Sequence, residues 1–187
     1  MKAFSKVTNS IGASLLVFLC TLRLIQMPSA GLISILLSMQ SALAAILLVI
    51  HSSARKVSHP VLICTAWLDA FLPLGLHVDQ ASLPYSLPGL LLAIWSLIAL
   101  GFSFSVAPED RGVVMQGPYR FIRHPMYLGE SLSLLGLCLA SFSIWNWFVF
   151  ACFVSLLGVR IISEERLLEN YSQYKALVRW RLLPGVW

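Results

Sequence analysis

The 187-residue chain is 58% hydrophobic and only 11% charged, with a mean hydropathy of +0.83, which excludes an ordinary soluble domain and points to residence in a bilayer. Its formal charge of +5 and pI near 9.3 do not signal nucleic acid: Lys and Arg stand at the ends of apolar runs, so anionic lipid headgroups are the matching partner. Cys20, Cys64, Cys138 and Cys152 lie in apolar stretches without a CxxC pair, which argues against a zinc or redox centre.

A bilayer core takes about 20 apolar residues per helix, and residues 11–27, 32–50, 61–76 and 87–106 come close to that length. The first run follows Lys2 and Lys6 without a small-residue cleavage site after it, so it reads as a retained helix and not a signal peptide. A polar stretch, 107–125, precedes an apolar region, 126–162, that is too long for one span. It is expected to double back at 141–146, where Ser, Trp and Asn suit an interface. The expectation is an all-α integral membrane bundle of about six spans, five being the alternative, ending in a helical hairpin and a tail helix.

Alternating spans put Lys2, Lys6, Arg55, Lys56, Arg111, Arg120, Arg123 and the tail on one side, while the loops near Pro28 and Asp79 carry few positive charges. The positive-inside rule makes that side, with both termini, cytoplasmic. Arg23 is the exception, its long stem suited to snorkelling. Residues 164–187 mix charges with Leu167, Leu168, Tyr171, Tyr174, Leu177 and Val178 at helical spacing, which predicts an amphipathic helix on the membrane surface.

A charge placed beside lipid costs about 2.5–3.5 kcal/mol on insertion scales, so charged residues next to spans have a partner or a task. Two clusters qualify: GPYRFIRHPMYLG at 117–129 and RIISEER at 160–166. In the first, Gly117-Pro118 signals a turn and Pro125 fits the first turn of a helix beginning near His124. The free N–H groups there, with Arg120, Arg123 and His124 around them, form a carboxylate site. Anchoring of the same arginines to lipid phosphates is an equally good reading of this cluster alone. In the second, Arg160 and Glu164 share a helical face, as a surface ion pair would, and Glu165 lies one step round. Two adjacent carboxylates also suit a cationic ligand. The hairpin carries this cluster back to the first, so one pocket can hold both signs of charge and fits a zwitterionic ligand.

These motifs, with RIISEERLLENYSQYKALV ahead of Pro184, resemble the isoprenylcysteine carboxyl methyltransferase family over residues 116–184, about the last third of the chain. RHPxYxG also occurs in related phospholipid methyltransferases and in membrane sterol reductases; the RxxxEE element and Tyr-rich tail narrow the choice. Asn170-Tyr171 stands where many members have Phe-Gly. The resemblance implies S-adenosylmethionine as cofactor, bound by a part spanning 107–187 of a single membrane domain. Its carboxylate would lie near His124 and the helix start, within an element that includes Gly117, Tyr119, Arg123, Pro125 and Leu128. Its cationic side would lie near Glu164 or Glu165, with Tyr127 packing on the nucleoside. Gly129 would let the ligand approach or, at least as well, pack helices together with Gly136.

The resemblance also assigns Arg160, with Glu164, to the catalytic end of the pocket, facing a lipophilic acceptor such as a prenylated carboxylate. A carboxylate is already nucleophilic, which agrees with the lack of an obvious Ser-His or Cys-His pair. An amine acceptor would ask Glu164 or Glu165 to take a proton. The competing readings are a phospholipid N-methyltransferase, an NADPH-dependent membrane reductase holding phosphates with Arg120 and Arg123, and a non-enzymatic assembly subunit. Asp69, in mid-span, pairs with a hydroxyl or lines an acceptor channel; Glu130 closes the pocket or serves as a cap or ion-pair partner. His51, His59, His77, Trp145, Trp147 and Trp187 read as interface residues.

Overall fold

A computed structural model describes residues 2–25, 27–51, 54–76, 83–169 and 171–187. The loop expected at Asp79, the interface role of His77 and the side chain of Arg23 lie outside the described residues. Six helices carry the architecture: α1 (Lys2–Ile25), α2 (Met27–Ile50), α3 (Pro60–Phe71), α4 (Leu83–Leu100), α5 (Pro125–Ser141) and α6 (Ile144–Leu167). A short α7 (Tyr171–Leu177) follows. Two dipeptide strands that the sequence did not signal, β1 (Lys56–Val57) and β2 (Glu109–Asp110), pair antiparallel with Lys56 opposite Asp110.

Helices occupy all six expected positions, but the six-span expectation is not supported. Among the described residues two segments, Leu83–Ser103 and Ile144–Leu167, are long and apolar enough to cross a membrane. Ile35–Ile50 and Pro60–Gly75 are apolar but shorter, the second running through α3 and the 3₁₀ turn Leu72–Gly75 that follows it. Helix α5 has 17 residues and carries Glu130 and three serines, while the N-terminal turns of α1 are polar. The loop expected at Pro28 is helix, with that proline in the first turn of α2.

Helices α1 and α2 form a hairpin, the Cys20 thiol donating to the Ser38 carbonyl at 3.5 Å. The closest packing is between α4 and α5. A Cβ on Gly129 would lie 2.5 Å from the Ala93 nitrogen, and one on Gly89 2.3 Å from the Ser133 nitrogen, so the backbones themselves are in contact. Gly136 meets Tyr85 and Ser86 in the same way, which makes the pair antiparallel. The α5–α6 hairpin turns inside the expected window, at Phe142, which has a left-handed φ of 41°, and Ser143. Asn146 donates to Ser141 Oγ at 2.6 Å and fixes the turn. Trp145 Nε1 donates to the Gly75 carbonyl at 2.7 Å, joining the hairpin tip to the 3₁₀ turn after α3.

The tail is not one amphipathic helix. Helix α6 stops at Leu167, Leu168 is extended, and α7 spans seven residues before an irregular C-terminal segment. Of the stripe foreseen in the sequence, Tyr171, Tyr174 and Val178 are buried against Val113 and Leu168 of the protein itself, while Leu177 is exposed. Loss of water drives the phenols of Tyr171 and Tyr174 above their usual range, so both remain hydrogen-bond donors.

Candidate active site

Helix α5 begins where it does because Pro125 supplies a helical φ and has no N–H to lose. The N–H groups just ahead of it are already engaged: Arg123 donates to the Trp180 carbonyl at 2.8 Å and His124 to the Arg181 carbonyl at 2.9 Å. The expected carboxylate site therefore narrows to the first-turn donors of Met126 and Tyr127, both of which line a cleft. That cleft holds about 690 Å³ of space out to its open mouth, and its walls include Glu109, Arg111, Tyr119, His124, Glu164 and Tyr171.

Two carboxylates that adjoin in sequence have different tasks. Glu165 is enclosed by donors: Arg123 at 3.0 Å, Tyr171 at 2.7 Å, His124 Nε2 at 3.3 Å and Arg181 Nη2 at 2.9 Å. With its lone pairs spent in this way it ties α6 to the start of α5 and to the C-terminal segment, and it does not present a free oxygen to a cationic ligand. Glu164 turns into the cleft. It accepts from the Tyr127 hydroxyl and stands 3.6 Å from Arg160 Nε and 4.0 Å from His124 Nδ1.

Arg160 lies behind Glu164, 4% exposed, with its guanidinium carbon 4.7 Å from the centre of the Tyr127 ring. Its Nη1 donates at 3.4 Å to Oδ2 of Asp69, a fully buried residue of α3. The Arg160–Glu164 pair that the sequence offered as a surface contact is therefore an interior one, and Asp69 pairs with a guanidinium and not a hydroxyl. Asp69 Oδ1 has no hydrogen-bond partner among the described residues. His124 stacks on Tyr127 with the ring centres 5.5 Å apart, so the Tyr127 ring is in contact with both His124 and Arg160.

The other predicted residues divide between lining and scaffolding. Tyr119 and Arg123 reach the cleft, and the Tyr119 carbonyl also receives the Tyr174 hydroxyl at 2.6 Å. Pro125 is buried, and neither it nor Leu128 lines the cleft. Gly117, with a φ of +56°, opens the turn Gly117–Arg120 and packs on Trp95 and Ala99. Gly129 serves the α4–α5 contact, as its helix-packing reading required. Sequence reasoning missed Glu109 and Arg111, which pair with each other in the cleft wall (Arg111 Nε to Oε2 at 2.9 Å). Their alternation around the buried Asp110 was the available signal, since a strand sends neighbours to opposite faces. Among the described residues no group of three His, Cys, Asp or Glu side chains is arranged to hold a metal ion.

A second space, about 900 Å³ counted out to its opening, lies among α1–α6 and is mainly apolar, walled by side chains such as Trp67, Phe71, Phe104 and Phe153. Glu130 and Arg160 are its charged residues. Met126 belongs to the walls of both spaces.

A polar cleft of mixed charge, backed by an apolar cavity across a shared side chain, is suited to bringing a polar ligand and an amphiphile to one point. The chain belongs to the phospholipid methyltransferase family, whose profile matches residues 81–174, just over half of the sequence. Phosphatidylethanolamine N-methyltransferase B of Dictyostelium discoideum is 36% identical over 76 residues, 38% of this chain. The match covers 36% of that protein, so the chain spans little more than a third of this curated relative. No solved structure matches. These findings support a membrane methyltransferase, as the isoprenylcysteine resemblance implied, but do not confirm that particular family and give no support to a prenylated substrate.

Proposed function

We propose that this protein is an S-adenosylmethionine-dependent phospholipid N-methyltransferase of the membrane, acting on the amine of a lipid headgroup. Family membership supports the class of reaction. The observation that carries the acceptor is charge: around Arg160 stand Asp69 and Glu164 in contact, with Glu130 in the same cavity wall, three carboxylates against one guanidinium. Asp69 neutralises Arg160. The surplus negative charge favours a cationic acceptor, and a carboxylate acceptor would meet a guanidinium already committed to its own partners.

The residues at hand fit the cofactor. Glu164 offers a carboxylate in the cleft for a cationic group, the Met126 and Tyr127 N–H groups offer donors for a carboxylate, and the Glu109–Arg111 pair offers polar contacts on the facing wall. S-adenosylmethionine, when bound, supplies a methyl group activated on a sulfonium. Alignment of the acceptor in a site shut to bulk water can be worth about 7–11 kcal/mol; here Tyr127, Arg160 and Glu164, packed on one another, would hold that alignment. Membrane residence is supported by helices α4 and α6, whose outward side chains, including Leu91, Ile98, Phe148 and Val154, are apolar. We place the cleft on the cytoplasmic side because Arg55, Lys56, Arg120 and Arg166 stand in loops and at helix ends on the side that the positive-inside rule assigns.

The test is methyl transfer by purified protein in mixed micelles, using labelled cofactor with phosphatidylethanolamine, with a prenylcysteine acid, or with no acceptor. Label is expected in phosphatidylethanolamine alone; transfer to the prenylcysteine carboxylate instead would overturn the reading.

A further inference from the structure

Glu130, counted above only for its charge, is the one charged group of the apolar cavity with no chemical step assigned to it. It lies on α5 with Met126 one turn before it and Ser133 and Leu134 after it, all on the cavity wall, a spacing that puts them on one helical face. Arg160 of α6 lines the same space. Among the described residues no hydrogen bond or ion pair reaches the Glu130 carboxylate. A carboxylate among Leu90, Phe104, Phe153 and Leu134, whose counter-charge is an Arg160 already engaged by Asp69 and Glu164, is costly unless a ligand completes it. The same cavity contains Trp67 and Phe71, stacked at 5.5 Å, and indole and phenyl faces attract alkylated ammonium groups.

We propose that Glu130 holds the ammonium of the acceptor lipid and takes its proton before methyl transfer. The inference rests on the phospholipid N-methyltransferase reading. A protonated amine has no lone pair to donate; the carboxylate removes one N–H proton and becomes a carboxylic acid. The freed pair forms the N–C bond as the S–CH₃ bond breaks and its electrons stay on sulfur as a thioether. The nitrogen becomes a methylated ammonium, and the proton on Glu130 passes to water when the site opens. Met126, one turn from Glu130 and shared with the cofactor cleft, marks where the methyl group crosses. Glu164 serves the cation on the cofactor side and Glu130 the cation on the lipid side, so neither carboxylate has two tasks.

Glu130→Gln keeps the side-chain shape and removes the base. Calorimetric titration with S-adenosylhomocysteine should give a Kd within twofold of wild type, while titration with a short-chain phosphatidylethanolamine should weaken about tenfold. Turnover at pH 7 should fall at least a hundredfold and climb about tenfold per pH unit up to pH 9, as solvent deprotonates the amine in place of the carboxylate. Glu130→Asp should retain the wild-type pH profile, and it decides the matter if the Gln variant does not bind S-adenosylhomocysteine. Wild-type turnover and pH profile in Glu130→Gln, or an Asp variant with the steep profile predicted for Gln, would overturn the proposal alone. A wild-type protein that binds S-adenosylhomocysteine yet methylates no amine lipid would overturn the underlying reading together with it.

Discussion

Arg160 and Asp69, 91 positions apart in the chain, meet at 3.4 Å in the interior, where the aspartate has no accessible surface. The contact pins α6 to α3 and holds Arg160 in the layer between cleft and cavity. Removing one partner leaves an uncompensated buried charge, which costs on the order of 3–5 kcal/mol. Arg160→Met should therefore lower the melting temperature in detergent sharply, and Asp69→Asn should do the same. The double variant should recover much of that stability without recovering turnover; stability that falls additively would show that the two do not act as a pair.

Glu164 and Tyr127 share a hydrogen bond at the cleft wall. Glu164→Gln should weaken S-adenosylhomocysteine binding by roughly tenfold, about 1.4 kcal/mol. Tyr127→Phe loses a bond to a charged acceptor, an effect of about 1.5–3 kcal/mol at most, and should act in the same direction. Titrations unchanged in both variants would remove this wall from the cofactor site.

Glu165 should behave differently from its neighbour. Glu165→Gln and Arg181→Ala both loosen the clamp that joins α6 to the C-terminal segment, so thermal stability should fall in each. Because they share one network, the pair should show a coupling of about 0.5–3 kcal/mol in a double-mutant cycle. Strict additivity would argue that Arg181 and Glu165 do not depend on each other.

The α4–α5 contact makes the simplest prediction. Gly129→Ala places a methyl group against the Ala93 backbone, which cannot move aside, and should cost about 1–3 kcal/mol by overpacking. Melting temperature and detergent-extractable yield report it. A variant as stable as wild type would mean that the two helices are not held in this close register.

Some of this was legible in the residues. Ser141 and Asn146 marked the hairpin turn because their short polar side chains can stop one helix and start the next, and the turn explains why His124 and Glu164 meet. The tyrosine stripe of the tail was legible as a period but not as a destination: spacing shows that a face is buried, not whether lipid or protein covers it. Adjacent carboxylates hid the division between Glu164 and Glu165, since a helix turns about 100° per residue and only the neighbours decide what each one meets. The Asp69–Arg160 pair had no local signal, because a contact across 91 residues depends on how whole helices pack. The span count goes beyond the two described segments long and apolar enough to cross a membrane, because an apolar run marks a helix that avoids water without fixing whether it reaches across a bilayer.

Met126 is a wall common to two compartments, and that bears on traffic. On the proposed reading, a water-soluble donor would occupy the space on one side of this side chain and a lipid the space on the other, so exchange of the first would not require release of the second. A headgroup that accepts more than one carbon could then be extended repeatedly without returning to the bilayer between rounds.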